Sequence, residues 1–197
     1  MQVKKLNPMI NRIAVFCGSS GGKNPLYAEE ARRLIKSFNS RKIGLVYGGG
    51  KVGLMGVLAD EMLKHYGEVI GVIPDKLMGW ELGHTGITKL HIVETMHDRK
   101  AMMANLSDAF IAMPGGIGTM EEFIEVFTWL QLDYHQKPCA LYNPNHYFDK
   151  FMEFFNHMIE EGFVSQKIAD TLIIDSDPES LLEKIDNFSI SSPNYYH

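Results

Sequence analysis

The 197-residue sequence has little cysteine, and its acidic residues outnumber its basic ones. Its two cysteines, Cys17 and Cys139, lie far apart in separate apolar segments, and no CxxC pair or His/Cys cluster forms a zinc motif. We therefore expect no metal site, and the cysteine usage fits a reducing cytoplasm. The formal charge of −5 provides no basic footprint for nucleic acid, so we expect no nucleic-acid partner.

Long apolar runs are also missing. No stretch approaches the roughly 18 residues that a membrane span needs, and the start MQVKKLNPMI has no apolar core of a signal peptide. We therefore expect no membrane association. Apolar residues make up 45% and charged residues 22%, as in globular domains. The length predicts a single domain over residues 1–197, with terminal tails at 1–10 and 189–197.

Short apolar segments rich in β-branched residues alternate with longer helical patterns. The predicted strands are residues 12–18, 43–47, 68–73, 90–94, 109–113, 138–142 and 171–174. The predicted helices cover about residues 25–40, 53–66, 97–106, 119–134, 146–161 and 178–187. Apolar strands separated by amphipathic helices are typical of a parallel sheet covered on both faces. We predict an α/β fold, a doubly wound, Rossmann-like parallel sheet of about seven strands flanked by helices.

Three of these strands end in glycine-rich turns, at residues 17–22, 48–53 and 114–119. Ligands of doubly wound sheets bind beyond the carboxyl ends of the strands, so three such turns on one rim predict a backbone-lined pocket. The 48–53 turn matches G-x-G-x-x-G, and Asp75 lies near the spacing expected for a dinucleotide site. A mononucleotide phosphate site, or a tight turn with close helix packing, explains the same glycines.

The 113–123 stretch, MPGGIGTMEEF, combines an anion-binding pattern with two acids. Glycines after a strand let the backbone approach a ligand, and the N–H groups of the next helix attract an anion. Two adjacent glutamates, Glu121 and Glu122, follow immediately. Glu122 either serves a site or forms an S/T-x-x-E capping box with Thr119. Neighbouring helix positions point about 100° apart, so the two glutamates cannot share one role.

The 96–100 stretch, MHDRK, places two cations near a helix start. With Asp98 as the N-cap, Arg99 and Lys100 lie in the first turn, where they oppose the helix dipole. This arrangement favours a nearby anion for Arg99, although both side chains could simply reach solvent. His97 is a general base or, more simply, a capping or packing residue.

The sequence contains PGGIGTMEE (114–122), MHDRK (96–100), FCGSS (16–20) and YGGGKVGLMG (47–56). With these four stretches it resembles the LOG family. Members of this family are cytokinin riboside 5′-monophosphate phosphoribohydrolases, long described as lysine decarboxylases. The resemblance covers roughly residues 12–165. It implies hydrolysis of the N-glycosidic bond of an adenosine-type 5′-monophosphate to a purine base and ribose 5-phosphate. It also implies a homodimer that uses no metal or cofactor, with each site near the subunit interface.

The resemblance assigns Arg99 and Glu122 as the catalytic pair. The substrate contacts predicted from it and from the glycine-rich turns are Glu81, Lys100, Gly115, Gly116, Ile117, Gly118, Thr119, Met120, Glu121, Thr128, Ser19, Gly49 and Gly50. Glu81 lies in a divergent loop, and Glu121 is alternatively a surface or dimer residue. Two other classes stay open, a nucleotide-binding protein without turnover and an NAD-dependent oxidoreductase. A decarboxylase would need a Schiff-base lysine, and only Lys51 is a candidate.

Overall fold

A computed structural model of the protein describes residues 9–79 and 82–190. Its strands are β1 Arg12–Phe16, β2 Gly44–Tyr47, β3 Val69–Pro74, β4 Lys89–Val93, β5 Ala109–Ala112, β6 Cys139–Tyr142 and β7 Leu172–Asp175. Its α-helices are α1 Leu26–Arg41, α2 Gly53–Lys64, α3 Met96–Leu106, α4 Ile117–Gln131, α5 Asp149–Glu160, α6 Gln166–Ala169 and α7 Pro178–Asp186. Short 3₁₀ turns occupy Asp75–Leu77 and Pro144–His146.

The strands form one parallel sheet in the order β4-β3-β2-β1-β5-β6-β7. Alternate residues of each strand point to opposite faces, so β1 contributes Ile13 and Val15 to one core and Ala14 and Phe16 to the other. The first core contains residues of α1, α2 and α7, and the second contains residues of α3, α4, α5 and α6. Helices therefore cover both faces of the sheet, and the predicted doubly wound fold is confirmed.

The centre of the sheet joins segments that are far apart in sequence. From β1 the chain adds β2, β3 and β4 on one side, and then returns to pair β5 with β1 in the register Ile13↔Ala109. We call this β1–β5 pairing the seam. Asp108 closes its lower end, where its carboxylate accepts hydrogen bonds from the backbone N–H groups of Asn11 and Arg12. A seam of this kind opens a crevice at the carboxyl ends of its strands, where such sheets bind ligands.

The predicted strands all occur, with ends displaced by a few residues. The structure adds the short helix α6, which is too brief to give a helical period in the sequence. The predicted C-terminal tail begins too early, because Ile190 packs against the second core. Among residues 9–79 and 82–190, no helix is long and apolar enough to cross a membrane. Within these ranges, no three or more His, Cys, Asp and Glu side chains are grouped to hold a metal ion.

Asp175, at the end of β7, ties the last strand to the last helix. It accepts hydrogen bonds from Lys184 Nζ at 2.7 Å, Ser180 Oγ at 2.5 Å and the Asp177 N–H at 2.9 Å. Burial disfavours the charged carboxylate, but these donors outweigh burial and lower the pKa of Asp175 to about 2. The folded-state pKa thus lies below the unfolded one. Asp175 therefore stabilises the fold above pH 4, and this contribution is lost as the pH falls towards 2.

Replacing Asp175 by Asn is expected to lower the free energy of unfolding by about 2 kcal/mol at pH 7. The difference from the parent protein should shrink as the pH falls from 4 to 2, because the parent carboxylate then becomes neutral. Urea unfolding at pH 7 and pH 2.5 measures both values. Glu183→Gln, which changes an exposed carboxylate on α7, is the control. An equal loss at both pH values would contradict the assignment.

Candidate active site

A cavity of about 340 Å³ opens above the carboxyl ends of β1 and β2, beside the seam. Its walls come from the end of β1, the turn after β2, the first residues of α3 and the start of α4. Eight of the predicted site residues line it, namely Ser19, Arg99, Gly116, Ile117, Gly118, Thr119, Glu121 and Glu122. The predicted turn at residues 114–119 and the predicted pair therefore meet in one place.

The start of α4 lies at the cavity because the residues directly before the helix are glycines, which have no side chain. A Cβ on Gly115 would lie 2.1 Å from Thr119 Oγ1 and 2.8 Å from the backbone nitrogen of Gly18. No larger residue fits between α4 and the turn after β1, which are joined by the Gly18 N–H bond to the Pro114 carbonyl. Gly116 is the N-cap and has no side chain to cap the helix. The first-turn amides of α4 therefore face the cavity at the positive end of the helix.

The alternative of a Thr119–Glu122 capping box is wrong. A capping box requires its first residue to precede the helix. Since α4 begins at Ile117, Thr119 is its third residue and Glu122 its sixth. Glu122 instead lies on the second turn of α4 with only 11% of its side chain exposed. Its carboxylate is therefore held inside the cavity wall by a helix.

The predicted start of α3 also needs correction. Thr95, not Asp98, is the N-cap, and the two form a reciprocal capping box. The Thr95 hydroxyl oxygen accepts the Asp98 N–H at 3.1 Å, while the Asp98 carboxylate accepts the Thr95 N–H at 3.2 Å. Arg99 and Lys100 thus lie three positions farther into the helix than predicted, past its first turn. The sequence T-M-H-D carries this signal, since Asp can take the place of Glu in the box.

Arg99 bridges α3, the end of β2 and α4. Its Nη2 donates to the Gly48 carbonyl at 3.3 Å and lies 3.7 Å from Glu122 Oε1. Only 6% of the Arg99 side chain is exposed. A cation and a carboxylate this close and this buried interact more strongly than a surface pair. The arrangement fixes a carboxylate oxygen at the cavity wall, where it can act on a bound molecule.

Lys100 lies beside Arg99 on α3, yet it is absent from the cavity lining. Its Nζ is 2.5 Å from Glu121 Oε1 and 3.1 Å from Glu125 Oε1, both on α4. Burial lowers the pKa of Lys100, but hydrogen bonds and attraction from Glu121 and Glu125 outweigh burial and raise it. Lys100 is therefore a charged residue that faces α4 rather than the cavity.

Other predicted contacts lie away from the cavity. The Gly49 carbonyl accepts the His84 N–H at 2.8 Å, and Gly50 forms a short bridge with Gly83. Met120 packs against the second core. Thr128 lies on the exposed side of α4, where its hydroxyl donates to the Ile124 carbonyl. Glu81 falls outside the described residues, and Gly115 lines a neighbouring cavity of about 220 Å³ rather than this one.

Tyr147 lies beside the site and carries no motif signal of its own, whereas Gly48 belongs to the predicted turn at residues 48–53. Tyr147, in the segment before α5, donates its hydroxyl to the Gly115 carbonyl at 2.5 Å and lies edge-on to Tyr27. Gly48 lines the cavity itself, and a Cβ there would lie 1.9 Å from Arg99 Nη2. A Cβ on Gly53, where φ is +58°, would meet the Ser19 carbonyl carbon at 2.3 Å. The geometry of this turn thus favours packing over a dinucleotide site.

Gly48→Ala is expected to displace the Arg99 guanidinium while leaving the fold in place, because the clashing atom ends a flexible side chain. Base release from a nucleoside 5′-monophosphate, which the resemblance implies, should fall about 100-fold in kcat/KM. The free energy of unfolding should fall by about 1–3 kcal/mol, because the buried Arg99–Glu122 pair is disturbed, and the protein should stay folded. Steady-state kinetics and urea unfolding test both expectations. Gly79→Ala, where a Cβ would meet nothing within 4 Å, is the control.

Comparison with known proteins places the chain among related sequences. A family model described as "Possible lysine decarboxylase" matches residues 55–185. A cytokinin riboside 5′-monophosphate phosphoribohydrolase of Rhodococcoides fascians is 43% identical over 179 residues, covering 90% of each chain. A protein of the same name from Arabidopsis thaliana is 43% identical over 178 residues, covering 90% of this chain and 83% of that one.

Among solved structures, the molybdenum cofactor binding protein from Rippkaea orientalis superposes with a TM-score of 0.69. It shares 22% sequence identity and covers 90% of this chain and 96% of its own. At that identity the likeness supports the fold alone. The two phosphoribohydrolases, by contrast, are 43% identical over 90% of this chain. The protein belongs to the LOG family, whose family model carries the lysine decarboxylase description.

Proposed function

We propose that this protein hydrolyses the N-glycosidic bond of an adenosine-type nucleoside 5′-monophosphate, releasing a free purine base and ribose 5-phosphate. The observation that carries the proposal is the buried pair of Arg99 and Glu122, 3.7 Å apart, beside the first turn of α4. The names of the relatives from Rhodococcoides fascians and Arabidopsis thaliana support the same reaction. Plain AMP and N6-substituted AMP are both included in the proposed substrate class.

Glu122 is the proposed catalytic carboxylate. As the bond between the base nitrogen and C1′ breaks, positive charge develops on the ribose, as in glycoside hydrolysis. A fixed carboxylate facing C1′ stabilises that charge and accepts a proton from the attacking water. The water oxygen then bonds to C1′, and the departing base keeps the bonding electrons and takes up a proton. Arg99 orients Glu122 and offsets its charge, so the carboxylate needs no other cation.

The first turn of α4 is the proposed phosphate site. Its amides, with Gly116, Gly118 and Thr119 around them, offer an anion both hydrogen bonds and the positive end of a helix. Ser19, in the turn after β1, lines the same cavity. A phosphate held there leaves Glu122, one turn deeper on α4, to face the sugar. Acids and an anion site can thus share one segment because they serve different parts of the substrate.

Decarboxylation of lysine, which the family description suggests, does not fit the residues of this site. That chemistry uses pyridoxal phosphate on a lysine amine. No lysine, including the candidate Lys51, is among the described residues that line the cavity. Lys100, which follows the cavity residue Arg99 in the sequence, has a raised pKa and is held as a cation between two carboxylates. The unprotonated amine that a Schiff base requires is thus disfavoured.

A cytoplasmic location is part of the proposal. Cys17 and Cys139 are both buried cysteines, as is usual in a reducing compartment.

Incubation with AMP and with N6-isopentenyl-AMP, followed by detection of free base and ribose 5-phosphate, tests the function. The proposal expects both products in equal amounts from at least one of the two. Tight binding of the nucleotide without either product would identify a binding protein instead. Thermal stabilisation by NAD, without base release, would point to an oxidoreductase.

Glu122→Gln is expected to reduce base release by at least about a thousandfold, because the amide neither stabilises the cationic sugar nor accepts a proton. The amide has nearly the same size, so thermal unfolding should stay close to that of the parent. Chromatography of the released base gives the rate. Glu153→Gln, an exposed carboxylate on α5, is the matched control and should keep full activity. Turnover equal to the parent's would remove Glu122 from the mechanism.

We also propose a homodimer formed through the outer face of α4. Ile124 and Thr128 lie on one side of this helix, and Leu132, its C-cap residue, follows at the same spacing of four residues. Ile124 and Leu132 remain 38% and 42% exposed. The neighbouring surface between α3 and α4 includes Trp129 and the exposed Tyr134. In this proposal, Thr128 and Glu121 lie at the subunit interface, which agrees with their places on α4.

Ile124→Glu is expected to shift the protein from a dimer to a monomer, because it would bury an unpaired charge in the interface. Sedimentation equilibrium of the parent should give twice the chain mass of 22.3 kDa, and the variant should give that mass once. Phe163→Glu changes a side chain that is 84% exposed after α5, and it should leave the dimer intact. A parent protein that sediments as a monomer would end this proposal.

A further inference from the structure

Lys100 links the same two helices that carry the Arg99–Glu122 pair. Its ammonium lies between Glu121 and Glu125, which are one turn apart on α4. Only 8% of its side chain is exposed, against 51% for Glu121 and 26% for Glu125. We call these three residues the Lys100 clamp. A buried cation with two carboxylate partners is a fixed connection rather than a mobile surface pair.

The clamp and the catalytic pair are covalently adjacent on both helices. Arg99 precedes Lys100 on α3, and Glu121 precedes Glu122 on α4. Neighbouring residues of a helix point about 100° apart, so the two sets of contacts meet different sides of the same helix pair. A slide or rotation of α3 against α4 would therefore stretch the clamp and the Arg99–Glu122 pair together. Contacts that stabilise the clamp therefore also restrict the distance between Arg99 and Glu122.

We propose that Lys100, held by Glu121 and Glu125, is a positioning residue that sets the separation of Arg99 and Glu122, and that it does not bind the substrate phosphate. This inference rests on the proposed function and assigns a role within that site. It departs from the substrate contact that the family resemblance implies for Lys100. The acids of α4 then divide into two groups, with Glu122 facing the sugar and Glu121 and Glu125 facing the lysine.

The alternative, in which Lys100 swings into the cavity to meet a phosphate, would leave its partners without their cation. Glu125 Oε2 is buried and has no hydrogen-bond partner among the described residues, so Glu125 depends on the contact between its Oε1 and Lys100. Removing one member of a buried ion pair costs more than the pair itself contributes, because it leaves an uncompensated charge. The start of α4 already offers the phosphate amides without that cost.

Glu125→Gln is the sharper of two test variants. Glu125 does not line the cavity, and Gln keeps the shape of the side chain while removing its charge. We expect kcat for release of adenine from AMP to fall about tenfold, with KM changed by less than about twofold, because misplaced groups slow the chemical step rather than binding. Glu153→Gln, exposed on α5, should leave both constants unchanged. An unchanged kcat for Glu125→Gln would overturn the inference.

Lys100→Met and Lys100→Arg separate positioning from phosphate binding. Positioning predicts that Met lowers kcat by tenfold or more at nearly constant KM, and that Arg restores most of the activity by pairing with the same carboxylates. Direct phosphate binding predicts instead that Met raises KM for AMP and removes the preference for AMP over adenosine. That second pattern would overturn the inference. Thermal unfolding of each variant shows whether it is folded.

The failure of the inference and that of the proposed function give different results. If the parent protein releases no base from AMP or N6-isopentenyl-AMP, the proposed function and the inference fall together. If the parent protein releases base from its substrate and the clamp variants have the same kcat, only the inference is overturned. Reduced kcat at unchanged KM in Glu125→Gln and Lys100→Met, with recovery in Lys100→Arg, supports both.

Discussion

Arg99 reaches Glu122 only because the end of β2 offers a backbone carbonyl and no side chain. The guanidinium occupies the place where a Cβ on residue 48 would lie, and it donates to the Gly48 carbonyl at 3.3 Å. One cation therefore joins the sheet, α3 and α4 beneath the cavity. The carboxylate of Glu122 takes its position from that contact, and the proposed chemistry depends on that position.

The boundary between α3 and α4 concentrates charge in a buried region. Two cations from α3 face three carboxylates from α4, and each cation has a carboxylate within 4 Å. Isolated charges would be costly at this depth, but each is compensated here. Arg99, Glu121 and Glu122, which line the cavity, thus already have oppositely charged partners before a ligand arrives. Such preorganisation reduces the reorganisation that a reaction would otherwise require.

The sequence allows the sheet and the meeting of the glycine turn with Arg99 and Glu122 to be predicted. Apolar strands and amphipathic helices carry a strong period, and residues 114–122 and 96–100 carry specific motifs. Side-chain pairing is harder to predict. Lys100 precedes Glu121 by twenty-one positions in the chain, and no local pattern relates them. Asp98 is itself a strong N-cap type, so the sequence favours an N-cap three residues after the true one at Thr95.

The positions of Gly49 and Gly50, which lie away from the cavity, are also hard to predict from a local pattern. A run of three glycines does not say which one faces a ligand, because that depends on how the strand twists into its turn. In the structure Gly48 faces the cavity, while a Cβ on Gly49 would lie 3.0 Å from Ile73 Cβ. Glycine is needed at both positions, because a Cβ on Gly48 would meet Arg99 and a Cβ on Gly49 would meet Ile73.

The seam between β1 and β5 has a consequence for the order of folding. Strands β1 to β4 lie together in the first half of the chain, whereas α4 belongs to the second half. Pairing Ile13 with Ala109 closes a loop of nearly one hundred residues, and contacts of such high sequence separation form slowly. A chain in which only the first four strands have assembled has the Gly48 carbonyl but no Glu122 beside it. The cavity therefore comes into existence only when the two halves of the sheet join.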